Sequence, residues 1–313
     1  MYRFIIRKLI STVSVILIVS IIVFAMLRVA PGDPATIIAG DGATVEQIEQ
    51  IRKSLGLDRP MLEQFTIWSG SVLHGDFGKS LISNQPVAGL ILDRFGATVA
   101  ICVTTILFSI LLAIPIGALA AWKQGAIIDR LIMAASVTGF SVPVFITEYL
   151  LILLFSMTLR WLPVQGYVPL GDGLLPFLKH IILPVAGLST IYIALIARIV
   201  RTSILEVLNE DYIRTARAKG LPESVILFKH AMGNAAVPIV TIIGVTVGLL
   251  LGGVVITESV FNIPGLGRLV VDAVLARDYP VIQAVLILSS MVYVLINLVT
   301  DVIYSLIDPR IQY

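Results

Sequence analysis

The chain has 313 residues, 58% of them hydrophobic and only 13% charged, with a mean hydropathy of +0.99 and a formal net charge of +2. Soluble domains carry roughly 25% charged residues, so a soluble globular protein is excluded and an all-α, polytopic membrane protein is expected. The basic residues are dispersed along the ends of apolar stretches, which argues against nucleic acid as a partner, and a lone cysteine, Cys102, excludes an internal disulfide.

Arg3, Arg7 and Lys8 precede an apolar run that continues to Leu27. It is too long for a secretory h-region and Ala30 is followed by Pro31, which predicts an uncleaved first span over about Leu9–Val29. A long polar region to about Phe95 opens on the turn-forming Pro31-Gly32-Asp33-Pro34. Thr44 and Gln47 fit a capping box ahead of a helix with Val45, Ile48, Ile51 and Leu55 on one face, ended by Gly56. A second amphipathic helix, Met61 to Leu73, places Leu62, Phe65, Ser69 and Val72 at helical spacing. The region reads as a partly helical external subdomain, its helices lying on the outer membrane surface or capping a vestibule. Gly78-Lys79-Ser80 is not a phosphate loop, because Leu73 stands where the first glycine is needed.

Five further spans are predicted. They cover about Ala97–Ala121 with Pro115 and Gly117, Leu131–Leu159 with Pro143 and Glu148, His180–Ile199 with Pro184, Ala235–Thr257 and Val281–Leu306. Gly244, Gly248 and Gly252 recur every four residues and predict a small-residue ridge that admits a neighbouring helix. Glu148 is an acid well inside a span and must face protein or water, either as lining of a polar path or as a hydrogen-bonded structural group. Basic residues orient the chain. Arg3, Arg7, Lys8, Lys123, Arg130, those between Arg198 and Lys229, and Arg310 share the side of the termini. Six others (Arg28, Arg52, Lys53, Arg59, Lys79 and Arg94) lie in the long first loop, which translocates largely regardless of charge. Both termini are therefore expected in the cytoplasm.

The polar island from Arg198 to Lys229 carries Arg198, Arg201, Arg214, Arg217, Lys219 and Lys229 beside Glu206, Glu210, Asp211 and Glu223, and is expected to face water. Leu205, Leu208, Tyr212 and Ala216 predict one helical apolar stripe, Gly220-Leu221-Pro222 a break, and Glu223 the start of a second short helix. A rigid helical elbow of this kind suits a transporter that receives force from a soluble partner.

The run Asp211 to Gly220, DYIRTARAKG, resembles the cytoplasmic loop of importer-type ABC permeases, E-A-A-x-x-x-G followed by I-x-L-P, in the Arg-Thr-Ala form of the dipeptide and oligopeptide branch. Gly220 falls on the motif glycine, Ala216 on the second alanine, and Arg214 and Thr215 on the two positions before it. His230, Met232 and Gly233 fall on the Ile, Leu and Pro positions, and Gly233 departs from the branch, which has proline there. RVAPGDPA, LGLDRP, GDFGKSL and QPVAGLILDR also resemble the N-terminal half of that family, and Glu258 to Arg268, ESVFNIPGLGR, its external signature. Asp301 and Asp308-Pro309-Arg310 are similar to its ending.

The resemblance implies the type I ABC importer transmembrane fold with six helices. Residues 1–95 would form the first span and external subdomain, and 96–313 a permease domain with its coupling loop at 200–233. It implies that Asp211, Tyr212, Arg214, Thr215, Ala216, Arg217, Lys219 and Gly220 dock on an ATPase. The stretch containing Glu258, Phe261, Pro264 and Gly265 would form a gate element; no family role carries over to Glu148, which is a candidate for the path on its place within a span alone. The implied partners are a second, homologous permease in a heterodimer, two ATP-binding subunits that hold ATP and Mg, and an external solute-binding protein. The implied setting is a bacterial or archaeal plasma membrane. The chain would bind no cofactor, catalyse nothing itself, and move a peptide-like solute, with nickel, glutathione, opines or oligosaccharides carried by similar systems. His74, His180 and His230 stand far apart without ligand-spaced partners, so no metal site is expected. A secondary transporter would be expected to show inverted repeats, which are not seen. A lipid anchor is disfavoured by the acids that dilute the island's positive charge.

Overall fold

The computed structural model describes residues 2–29, 34–39, 42–54 and 56–307. The turn cluster at 31–33, Leu55, the ending at 308–310, and the side chains of Arg3, Arg7, Lys8, Arg28 and Ile51 lie outside what is described. Among the described residues the regular structure is helical, with one isolated bridge between Lys79 and Pro86. In chain order the helices are α1 (Tyr2–Val29), α2 (Pro34–Ala39), α3 (Val45–Ser54), α4 (Met61–Leu73), α5 (Val87–Trp122), α6 (Ile127–Ser141), α7 (Val144–Leu151), α8 (Leu174–Leu208), α9 (Asp211–Ala218), α10 (Glu223–Val225), α11 (Met232–Asn234), α12 (Ala236–Val260), α13 (Leu266–Ala276) and α14 (Tyr279–Ile307). Two π-helical stretches, Ile152–Thr158 and Ile226–Ala231, interrupt them.

α5, α8, α12 and α14 are each long and apolar enough to cross a membrane, and α1 carries the apolar stretch Ser11–Met26. The third expected span is not one rod. α6 and the α7 segment pass the same test as a pair, but meet at a bend of 103°. Pro143 permits the bend: it cannot donate an amide to the turn before it, and Val142, which precedes it, takes an extended ψ of 124°.

The chain divides into two compact units. One contains the described residues of 1–94 and 269–294. Here the capping box forms as expected: the Thr44 amide donates to Gln47 Oε1 at 2.9 Å and the Gln47 amide to Thr44 Oγ1 at 3.3 Å. Gly56, at φ +66°, follows α3. Phe24 of α1 packs against Phe65 and Trp68 of α4 with ring centroids 5.2 and 5.5 Å apart. The Gly78-Lys79-Ser80 stretch is tied down by Asp278. Ser80 Oγ donates to Asp278 Oδ2, and the Leu81 amide donates to Oδ1 at 3.1 Å.

The other unit contains the described residues of 95–268 and 295–313, and α8 is its post. Small residues let the neighbours close on it. A Cβ added to Gly117 of α5 would lie 2.5 Å from the Ala197 carbonyl oxygen, and one on Gly253 of α12 would lie 2.7 Å from the Tyr192 hydroxyl. Gly139 of α6 meets Thr190 of α8. The predicted glycine ridge is only partly used. Gly244 abuts Thr300 of α14, whereas Gly252 faces open space and Gly253 makes the approach to α8. Four residues overshoot one turn by about 40°, so such a row drifts around the helix. Among the described residues the larger core clusters lie around Ile101, Leu188, Tyr192, Leu250 and Phe261 and around Ala113, Ile196, Val200, Ile204 and Leu227.

Candidate functional site

The expected elbow begins later than its charge suggests. α8 runs on as helix to Leu208, so Arg198 and Arg201 belong to the post and not to the loop. Asn209 and Glu210 then break the chain, with Glu210 extended at ψ 148°, and α9 starts at Asp211. The apolar stripe is therefore split between two helices. α9 buries Ile213 and Ala216, and these pack with Ile226 and Leu208, while Tyr212 is 44% exposed. Ile213 was missed because the stripe was extrapolated through a break that polar residues conceal.

α9 has an acid, Asp211, in its first turn and a base, Arg217, in its last, both suited to the helix dipole. It ends in a Schellman motif: the Leu221 amide donates to the Ala216 carbonyl at 3.3 Å and the Gly220 amide to the Arg217 carbonyl at 2.9 Å. Gly220 takes the left-handed φ of +79° that this motif demands. Arg217 closes the turn onto the start of α10, its Nε 2.8 Å from Glu223 Oε1. That guanidinium holds the Glu223 carboxyl below its ordinary range. The clamp therefore persists above the usual carboxylate pKa and is lost only as pH falls through the depressed one. Being half exposed, it contributes about 1 kcal/mol or less. Asp211, Tyr212, Arg214, Thr215, Arg217, Lys219 and Gly220 all face outward, and Ala216 faces in. Gly233 lies exposed in α11, with open space around it.

The stretch after α12 folds around one carboxylate. Glu258 is fully buried, and its Oε1 accepts from Thr98 Oγ1 at 2.6 Å while its Oε2 accepts from the Arg268 amide at 2.9 Å. Thr98 Oγ1 accepts in turn from the Leu266 amide at 2.8 Å. Glu258 and Thr98 thus satisfy amides in the first turn of α13 that have no helical partner. Glu258 meets Arg268 through the main chain of the latter, whose guanidinium reaches Asn262. The glycines serve space and not backbone rotation. A Cβ on Gly265 would overlap the Glu258 carboxyl group and one on Gly267 would lie 2.6 Å from the Val255 Cα, whereas the left-handed residue is Asn262 at φ +53°. Phe261 is buried, its carbonyl accepting the Gly166 amide at 2.9 Å, and Pro264 is exposed.

Glu148 is buried between α7, α8 and α12. Thr257 Oγ1 donates to its Oε1 at 2.6 Å, and Oε2 has no hydrogen-bond partner among the described residues. Gly187 of α8 makes room for it, since a Cβ there would lie 2.5 Å from Glu148 Cγ. Thr98 and Thr257 were missed as partners because they are unremarked threonines in apolar runs, and only folding brings them to the two acids. Among the described residues no group of three or more His, Cys, Asp or Glu could hold a metal.

Several helices long and apolar enough to cross a membrane, with a charged helical elbow after α8, mark an integral-membrane protein. The family described as binding-protein-dependent transport system inner membrane component matches residues 113–313, and the corresponding N-terminal family matches residues 1–102. The chain belongs to this family of ABC importer permeases. It is 51% identical over 310 residues to a probable peptide ABC transporter permease protein, y4tP, of Sinorhizobium fredii, covering 99% of each chain. It is 43% identical over 313 residues, and the full length of both, to the glutathione transport system permease protein GsiC of Escherichia coli K12. The fold is similar to that in a structure titled inward facing conformations of the MetNI methionine ABC transporter, with a TM-score of 0.59 at 21% identity, over 70% of this chain and 96% of that one.

Proposed function

We propose that the chain is one of a pair of homologous permease subunits that import a peptide-like solute, driven by ATP hydrolysis on two separate ATPases and supplied by an external binding protein. The observation that carries this reading is the elbow: an eight-residue helix, α9, with an outward polar face, packed by its apolar face on Ile226 of the π-helical stretch and on Leu208 at the end of the post. Such a helix receives force without bending, which rigid-body rocking between inward and outward access requires. The elbow and both termini are on the cytoplasmic side in this reading. Residues 1–95 serve as first span and external subdomain, and 96–313 as the permease domain. The proposed cargo class follows relatives named for peptides and for glutathione, itself a tripeptide.

Co-expression with ATPases and a binding protein of the same importer family is expected to yield a complex that copurifies and, in liposomes, takes up peptide only when ATP is present inside with the ATPases. Dipeptides, longer peptides and glutathione are the arms to compare. Uptake driven by an ion gradient without ATP would make the chain a secondary transporter instead.

Glu258, Phe261, Pro264 and Gly265 are proposed to latch a gate corner between α12 and α13, and Glu148 to lock α7 onto α8 and α12 without touching the solute. Glu148→Gln preserves shape and an acceptor for Thr257, so uptake in that assay is expected to match wild type at every solute concentration. A raised apparent KM with normal assembly would place Glu148 in the path.

A further inference from the structure

The elbow needs a second fixed point. α9 can drive the bundle only if movement of α8 is passed to its neighbours at the same end, and one contact there has a defined geometry. Arg201 Nε donates to Asp129 Oδ1 at 2.6 Å and its Nη2 to Oδ2 at 2.8 Å, a two-pronged pair between α8 and the first turn of α6. Asp129 Oδ2 also accepts the Gly125 amide at 2.9 Å, which ties in the turn between α5 and α6. The carboxylate is 4% exposed and the guanidinium 23%.

Its position matters as much as its chemistry. Arg201 stands on the same unbroken helix as Leu208, which packs in the elbow's apolar cluster. Along the axis the separation is about 10 Å at ~1.5 Å per residue. Just before it, Ala197 and Val200 close against Gly117 of α5. That apolar contact holds distance but lets helices turn and slide, whereas a fork against a carboxylate has one preferred orientation. Buried ion pairs add little net stability over apolar residues of equal size, so what this one supplies is orientation.

We propose that Asp129 and Arg201 are positioning residues that pass displacement of the elbow from α8 to the α5–α6 hairpin. The inference rests on the coupling reading of α9 and goes beyond it, because neither residue lies on the elbow. The pair fixes the rotation of α8 about its own axis, so a push on α9 moves α6 and the adjoining turn instead of being lost as twist.

The test is made on the assembled importer in liposomes, measuring uptake and ATPase rate per complex, with and without loaded binding protein. Arg201→Lys keeps the charge but not the fork, and Asp129→Asn keeps the acceptor for Gly125 but not the charge. Both are expected to leave assembly and basal ATPase rate unchanged and to lower stimulated ATPase rate and uptake about tenfold or more. The exchanged pair, Asp129→Arg with Arg201→Asp, is expected to recover part of the stimulation that either half alone loses. Wild-type stimulation per complex in both single variants overturns the proposal, as does a proportional fall in basal and stimulated rates, which marks a merely structural role. Ala216→Leu serves as the reference. If it abolishes stimulation while Arg201→Lys does not, the elbow reading stands and this inference fails; if Ala216→Leu is also silent, the elbow reading itself fails.

Discussion

Replacing Ala216 with leucine is expected to abolish uptake and stimulated ATPase activity while the protein still inserts and folds. Ala216 is only 8% exposed and sits among Ile213, Ile226 and Leu208. Three additional carbons there force α9 off the π-helical stretch beneath it, at a cost of about 1–3 kcal/mol. That cost falls on a small peripheral cluster that meets the bundle's core through Leu208, so accumulation in the membrane is expected at wild-type level. An eight-residue helix has almost no stability of its own and keeps its place only by packing. Gly220→Val tests the same elbow from its other end, because a β-branched residue at φ +79° costs about 1–2 kcal/mol and breaks the Schellman turn. ATPase stimulation by loaded binding protein, normalised to copurified ATPase, is the measurement. Retention of stimulation in both variants would remove the elbow from the coupling path.

A second large effect is expected at the corner after α12. Glu258→Ala strips acceptors from Thr98 and from the Arg268 amide, in a site with no access to water. Leaving such donors unpaired costs about 1–3 kcal/mol each, so the variant is expected to lose about 2–5 kcal/mol. Gly265→Val approaches the same latch sterically, driving a branched side chain into the carboxyl group. Both are expected to lower the melting temperature of the detergent-solubilised protein by roughly 5–15 °C, with Glu258→Gln intermediate because it keeps one acceptor. An unchanged melting temperature in Glu258→Ala would mean that the carboxylate does not hold this corner together.

Much of the elbow was legible in sequence because its signals are local. A glycine where the chain must turn left-handed, followed by Leu221-Pro222, specifies the stop of α9 without reference to the rest of the fold, whereas its start at Asp211 is hidden inside an apparently continuous stripe. The capping box at Thr44 and Gln47 and the exact extent of α4 are local in the same sense. The third span was placed with Pro143 inside it, but the sharp bend there was not legible. A proline in a membrane helix is compatible with either a continuous rod, as Pro115 and Pro184 illustrate within α5 and α8, or a sharp bend. Which one occurs depends on what packs against the freed carbonyls.

The sequence by itself determined that this is a helical membrane protein, where most of its apolar helices lie, and that a charged elbow interrupts them, because hydropathy and capping act over a few residues. Only the tertiary structure decided the partners of the buried charges: Glu258 with Thr98, Glu148 with Thr257, and Asp129 with Arg201 across the bundle. A charge in an apolar setting must be satisfied by something, but the chain offers many candidates at equal sequence cost. The choice among them is made by which helices can approach, and that is set by small residues such as Gly117, Gly187 and Gly265 whose role is invisible until their neighbours are in place.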